Sequence, residues 1–162
     1  MKPIQESLVI GLDFGTDSAR AILVRCEDGE TLASAEAYYP RWSEGKYQDS
    51  ERCLYRQHPL DYLEALEGSI LALLSQVGSS ARTRIVGLGL AATGSTPCPV
   101  DEDGTPLALL QEFNTHPDAM FHLWKDHTAT QEAEWINKIL ANCLGQDFTR
   151  YQGKYISEWY WA

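Results

Sequence analysis

A chain of 162 residues can bury one real core, and its 44% hydrophobic and 22% charged residues are ordinary for a globular protein. Its formal net charge of −10 argues against nucleic acid or anionic membrane as the main partner, because both demand basic patches. No apolar run approaches the roughly 18 residues of a membrane span, and the start, Met1-Lys2-Pro3-Ile4-Gln5-Glu6, turns acidic too soon for a signal peptide.

Residues 6–13 read as a buried strand and 18–26 as its neighbour. Between them lies Gly11-Leu12-Asp13-Phe14-Gly15-Thr16-Asp17-Ser18-Ala19-Arg20. An acidic residue closes the strand, a glycine bends the backbone, and small hydroxyl residues follow. Such a turn can offer N–H groups and hydroxyls to a phosphate, with the carboxylate beside a metal ion. Read alone, it is equally an ordinary β-hairpin. Glu27-Asp28-Gly29-Glu30 is a hairpin turn, and 31–39 a third strand, which completes an antiparallel meander. Residues 40–57, polar and aromatic, read as a long loop.

A helix begins at His58-Pro59, with proline suited to the first position and Asp61 and Glu64 to the positive end. Leu63, Leu66, Ile70, Leu73, Leu74 and Val77 form its buried face. The continuous apolar run 85–90 reads as a central strand buried on both faces. A small-residue loop, Thr93-Gly94-Ser95-Thr96-Pro97, follows, and then a hairpin turning at Asp101-Glu102-Asp103-Gly104. A further helix is expected from near Lys125 to Asn142, with Ala129, Ala133, Ile136 and Leu140 on one stripe and Gly145 ending it. Residues 156–162 start another amphipathic element that stops without a cap. A piece of a longer chain is expected, with a docked terminal helix as the alternative.

Cys26, Cys53, Cys98 and Cys143 lack metal-motif spacing and read as reduced thiols. His122 and His127 are five apart, not the four that would align them on one helix face, so no zinc site is expected.

Three antiparallel strands, a crossover helix and then a parallel strand is the order of an α/β ribonuclease H-like core, the actin-like ATPase fold. Within that fold, the turn at Asp13 resembles the first phosphate motif of the FGGY carbohydrate kinases. Tyr39-Pro40-Arg41-Trp42, His58-Pro59-Leu60-Asp61-Tyr62, the Thr93–Pro97 loop, Leu123-Trp124-Lys125-Asp126-His127-Thr128 and Ser157-Glu158-Trp159 resemble further family blocks in order along the chain. The resemblance implies an N-terminal actin-like domain over 1–150, with 151–162 opening a further helix. It also implies an ATP- and Mg²⁺-dependent cytoplasmic enzyme acting on a small sugar, L-ribulose on the Trp-Lys-Asp-His block. A homodimer of the longer enzyme is compatible with it. The catalytic base and the adenosine pocket are expected beyond this chain, which holds no catalytic residue of its own.

The resemblance assigns Asp13, Gly15, Thr16 and Ser18 to the phosphates, with Asp13 reaching Mg²⁺ through water. It assigns Thr93, Gly94, Ser95, Trp124, Lys125 and Asp126 to the sugar. Each has a plainer reading: a turn-capping carboxylate for Asp13, a simple turn for 93–95, a helix N-terminus for 124–126. Ala91 departs from the family, where an aspartate is common. Another pentulose or polyol kinase, a non-catalytic actin-like nucleotide-binding module and a two-metal nuclease are the alternatives. The absence of a basic patch counts against the last.

Overall fold

Alternation of buried and open positions builds the first sheet. In β1 (Leu8–Phe14) the side chains of Leu8, Ile10, Leu12 and Phe14 are buried on one face. β1 pairs antiparallel with β2 (Ser18–Arg25), and β2 pairs likewise with β3 (Thr31–Tyr38), so the meander forms as expected. Gly29, at φ 77°, supplies the left-handed residue of the second turn. The computed structural model describes residues 6–151.

Residues 40–57 are not one loop. They form a short helix α1 (Pro40–Ser43) and two strands, β4 (Gln48–Asp49) and β5 (Leu54–Gln57). Helix α2 (Pro59–Ser75) then lies against the first sheet. Gly68 permits close approach to β3, since a Cβ there would meet the Ala37 Cβ at 3.4 Å. Leu73 is fully buried, and Leu66, Ile70 and Val77 pack beside the cluster of Leu8, Ile10, Leu12, Ala21, Leu23 and Ala33. Each fully buried leucine stabilises the fold by about 1.5–3 kcal/mol. Leu63, expected on that buried face, is 50% exposed and lies off it.

A short helix α3 (Ser79–Arg82) leads into β6 (Ile85–Ala92), which pairs parallel with β1. The strand order is β3-β2-β1-β6, so among the described residues β6 is an edge strand rather than a central one. Val86, Leu88 and Leu90 are 68%, 56% and 65% exposed. The apolar run expected to be buried on both faces is therefore largely open in this chain.

Two units divide the expected 1–150 domain. The first takes the chain up to Glu44 together with Leu60–Thr93; the second takes Gly45–Pro59 and the chain from Gly94 onward. In the second, β4, β5 and β7 (Phe121–His122) make a three-stranded sheet. The expected hairpin turns through Gly104 at φ 82°, with Asp101 N–H donating to Thr105 O at 2.9 Å. Ala108, Ala119 and Met120 form a small core with Tyr47, Leu107 and Phe113. Helix α4 (Thr130–Leu140) starts later than expected, because residues 126–128 are held in a turn of their own. Its stripe begins with buried Ala129 and Ala133, and Gly145 follows it at φ 75°. The helix expected from 156 lies outside the described residues. No helix among them is long and apolar enough to cross a membrane.

Candidate functional site

In the first unit, β1 and β2 are joined by a turn in which Gly15 N–H donates to Ser18 O at 2.9 Å. Gly15 is not among the positive-φ residues, so the bend does not depend on glycine's left-handed freedom. Tyr39 ties the turn down twice: its hydroxyl donates to Gly15 O at 3.1 Å and its N–H to Asp17 O at 3.0 Å. Trp42 adds a third tie, from the indole N–H to Asp17 Oδ1 at 2.7 Å. Thr93 reaches the same turn, its N–H donating to Phe14 O at 3.0 Å. Tyr39 is not a site candidate from sequence, and Trp42, with Arg41, is only a weaker candidate for the sugar; their roles at this turn depend on α1 forming where a loop is expected.

Asp13 is exposed and stands in a cross-strand row: Glu36, Arg20, Asp13, Ala91. Arg20 donates to Glu36 at 3.0 Å. Ser18, expected at the phosphates, is 1% exposed and donates its hydroxyl to Glu36 Oε1 at 2.6 Å. That hydroxyl, followed by Arg20, holds the Glu36 carboxyl below the usual carboxylate range. Ser18 therefore serves the sheet, while the Asp13 carboxylate stands exposed beside the turn. Among the described residues, no group of three or more His, Cys, Asp or Glu could hold a metal. A single open carboxylate is compatible with a Mg²⁺ carried mainly by phosphate oxygens and water, and not with an all-protein cage.

The chain enters the second unit after Thr93. Gly94 is exposed, and Ser95 adopts φ 63°, a left-handed conformation uncommon outside glycine. Further along, Trp124 is 48% exposed, and the Lys125 ammonium sits 4.5 Å from the centre of the Tyr55 ring. The Lys125–Tyr55 pair is thus an aromatic and cationic patch, preceded in the chain by the exposed Trp124; groups of these kinds can meet the C–H face and hydroxyls of a sugar. Tyr55 was not foreseen.

Asp126, expected to meet sugar hydroxyls, is fully buried and fully engaged. Its Oδ2 accepts from Tyr55 N–H at 2.7 Å and from Arg56, while its Oδ1 accepts from Thr128 N–H at 3.1 Å and from the Thr128 hydroxyl at 2.7 Å. Four bonds saturate a carboxylate. Asp126 organises the frame beneath the patch and has no acceptor left for a ligand. Arg56 is 2% exposed and also donates to Thr128 Oγ1 at 3.2 Å, though its Nε is buried without a partner. His122, opposite Arg56 in the β5–β7 pair, is held below the usual histidine range, first by burial and then by the Arg56 charge. A cavity of about 320 Å³ opens beside Arg56, lined also by Arg52, Leu54 and Glu132; Trp124 and Lys125 do not border it.

No family model matches the chain. A ribulokinase of Vibrio parahaemolyticus is 48% identical over 155 residues, covering 95% of this chain and 27% of that protein. A ribulokinase of Halalkalibacterium halodurans is 37% identical over 156 residues, covering 93% of this chain and again 27% of the relative. The chain thus spans about a quarter of the length of these curated relatives. In fold, a xyloylose kinase from Brucella ovis superposes with a TM-score of 0.65 at 20% identity, covering 83% of this chain and 24% of that one. A gluconate kinase from Lactobacillus acidophilus gives 0.62 at 18% identity, covering 84% and 23%. The chain is homologous to the N-terminal part of ribulokinases, carbohydrate kinases of the FGGY type with an actin-like fold.

Proposed function

We propose that this chain is the N-terminal part of an ATP-dependent cytoplasmic kinase that converts L-ribulose to L-ribulose 5-phosphate, a step of L-arabinose breakdown. The observation that carries the reading is the 48% identity to a ribulokinase across 95% of the chain. Phosphoryl transfer is largely positioning and charge neutralisation. Asp13 would hold Mg²⁺ through water, and Thr16 and the turn backbone would meet the phosphates. Trp124, Lys125, Gly94 and Ser95 of the second unit would face the sugar. A Mg²⁺ held there would supply neutralisation of the phosphate charge. The base that takes the hydroxyl proton comes from outside this chain, so the 162 residues alone are expected to be inactive.

The test is a panel of pentuloses, pentoses and polyols with Mg·ATP, run on the full-length product of the gene. Ribulose should be phosphorylated, and turnover on xylulose or glycerol with none on ribulose would replace this assignment with another kinase of the family. Asp13→Ala in that product should depress turnover by orders of magnitude while leaving the melting midpoint nearly unchanged. An unaltered turnover number would make Asp13 a turn-capping residue.

A further inference from the structure

The turn of the first unit carries an acid, Asp17, where the proposed reading puts an anionic phosphate. Left to swing, its carboxylate would repel that phosphate. The bond from the Trp42 indole N–H to Asp17 Oδ1, at 2.7 Å, fixes where the charge lies. Asp17 is itself exposed, so the bond is not needed to satisfy a buried charge. What it sets is the direction of the carboxylate.

Trp42 is well held. It is 8% exposed. Its backbone N–H donates to Asp61 Oδ2 at 3.1 Å, and the Arg41 N–H to Asp61 Oδ1 at 3.2 Å. Asp61 is fully buried on α2 and is clamped by the Arg41 guanidinium, which also reaches Glu64. Next to Trp42 in the fold, the Tyr39 ring stacks on Tyr62 at 4.8 Å. The donor that meets Asp17 is therefore delivered by a buried, cross-braced element, and a charge-assisted bond of this length is directional.

We propose that Trp42 is a positioning residue for nucleotide: its indole N–H, anchored through Asp61, latches the Asp17 carboxylate onto α1 and out of the space a phosphate would occupy. The proposal rests on the phosphate reading of the turn. Trp42 touches no nucleotide; it acts by keeping a like charge away.

The experiment measures kcat and the KM values for Mg·ATP and for sugar in the full-length gene product and its W42F, D17E, D17A and D17A/W42F variants. Phenylalanine keeps a ring and removes the donor. W42F is expected to raise the Mg·ATP KM about tenfold, the scale of one charge-assisted bond, with kcat and the sugar KM little changed. Removing the charge should abolish that penalty, so D17A/W42F should lie within about twofold of D17A alone. D17E keeps the charge but cannot keep the geometry. As a surface change it tests the latch even if W42F does not fold, and it too should raise the Mg·ATP KM. The latch is overturned if W42F costs the same with and without Asp17, if D17E leaves the Mg·ATP KM unchanged, or if D17A itself abolishes nucleotide use. An unsubstituted product that phosphorylates no sugar removes the functional reading and the latch with it. An active one with an insensitive W42F removes the latch alone.

Discussion

The Arg56 guanidinium and the Asp126 carboxylate, 70 residues apart in the chain, form an ion pair in which the two side chains are 2% and 0% exposed. The pair joins β5 to the segment before α4. Its chemistry is that of a structural brace, and the first expectation follows from it.

Asp126→Ala leaves the Arg56 charge buried and frees the N–H groups of Tyr55 and Thr128. Breaking one side of a buried pair costs about 3–5 kcal/mol. Denaturant unfolding of the chain should show a loss of this size, with α4 and β5 losing order together. A midpoint equal to that of the unsubstituted chain would free Asp126 for a role in sugar binding.

His122 makes stability depend on pH. Its folded pKa lies below the ordinary 6.5, because burial and then Arg56 oppose the imidazolium; Asp118 and Asp126 face it and pull partly the other way. When unfolded, the group takes up a proton as pH falls through about 6.5, while the folded group resists. Stability is therefore complete above that value and declines below it until the folded group also protonates. Melting midpoints between pH 7.5 and 5 should show the decline, and His122→Gln should flatten it. An identical slope in both proteins would exclude His122 as its source.

The meander and α2 were legible because their signals are local: alternation in 8–14, the Asp28-Gly29 turn, and Pro59 at a helix start. What was not legible depends on residues distant in sequence. Two-residue β4 and four-residue β5 carry too little pattern to announce themselves, and β5 is held by Asp126 from far down the chain. The apolar run of β6 was read correctly as a strand but placed wrongly. Hydrophobicity records which surface benefits from burial, and Leu88 and Leu90 have no cover among the described residues. At the site, Ser18 looks like any phosphate-binding hydroxyl until Glu36 appears beside it. No spacing rule could have paired Trp42 with Asp17.

Ala91 ends the row that runs from Glu36 through Arg20 and Asp13. Ala91→Asp places a second carboxylate one strand spacing, about 4.8 Å, from Asp13. Without divalent ions the like charges should destabilise the chain by about 0.2–1 kcal/mol. Millimolar Mg²⁺ should recover that loss in the variant and leave the unsubstituted midpoint where it was. Equal responses of the two proteins to Mg²⁺ would show that the pair does not bind the ion.

Burial pushes the Cys98 thiol up to about 11, while Cys26 and Cys53 are exposed. At neutral pH the thiolate fraction at Cys98 is then about a hundredfold below that of an ordinary thiol. Timed alkylation with iodoacetamide, read by mass spectrometry, should modify Cys26 and Cys53 well before Cys98. Labelling of Cys98 at the same rate would mean that its surroundings open readily.

The chain leaves the first unit at Glu44 and re-enters it at Leu60, so the second unit begins as an insert, Gly45–Pro59, within the first. On the ribosome this separates the two in time. Everything the first sheet needs has been synthesised once Thr93 is made, and its hairpins close over short distances. The insert must wait, with Arg56 a hydrated cation, until Phe121, His122 and Asp126 emerge. Burial of that arginine is thus a late event in the life of the nascent chain, and a pause in translation after Thr93 has left the ribosome but before Asp126 has would prolong the interval in which the finished sheet carries an unfinished insert.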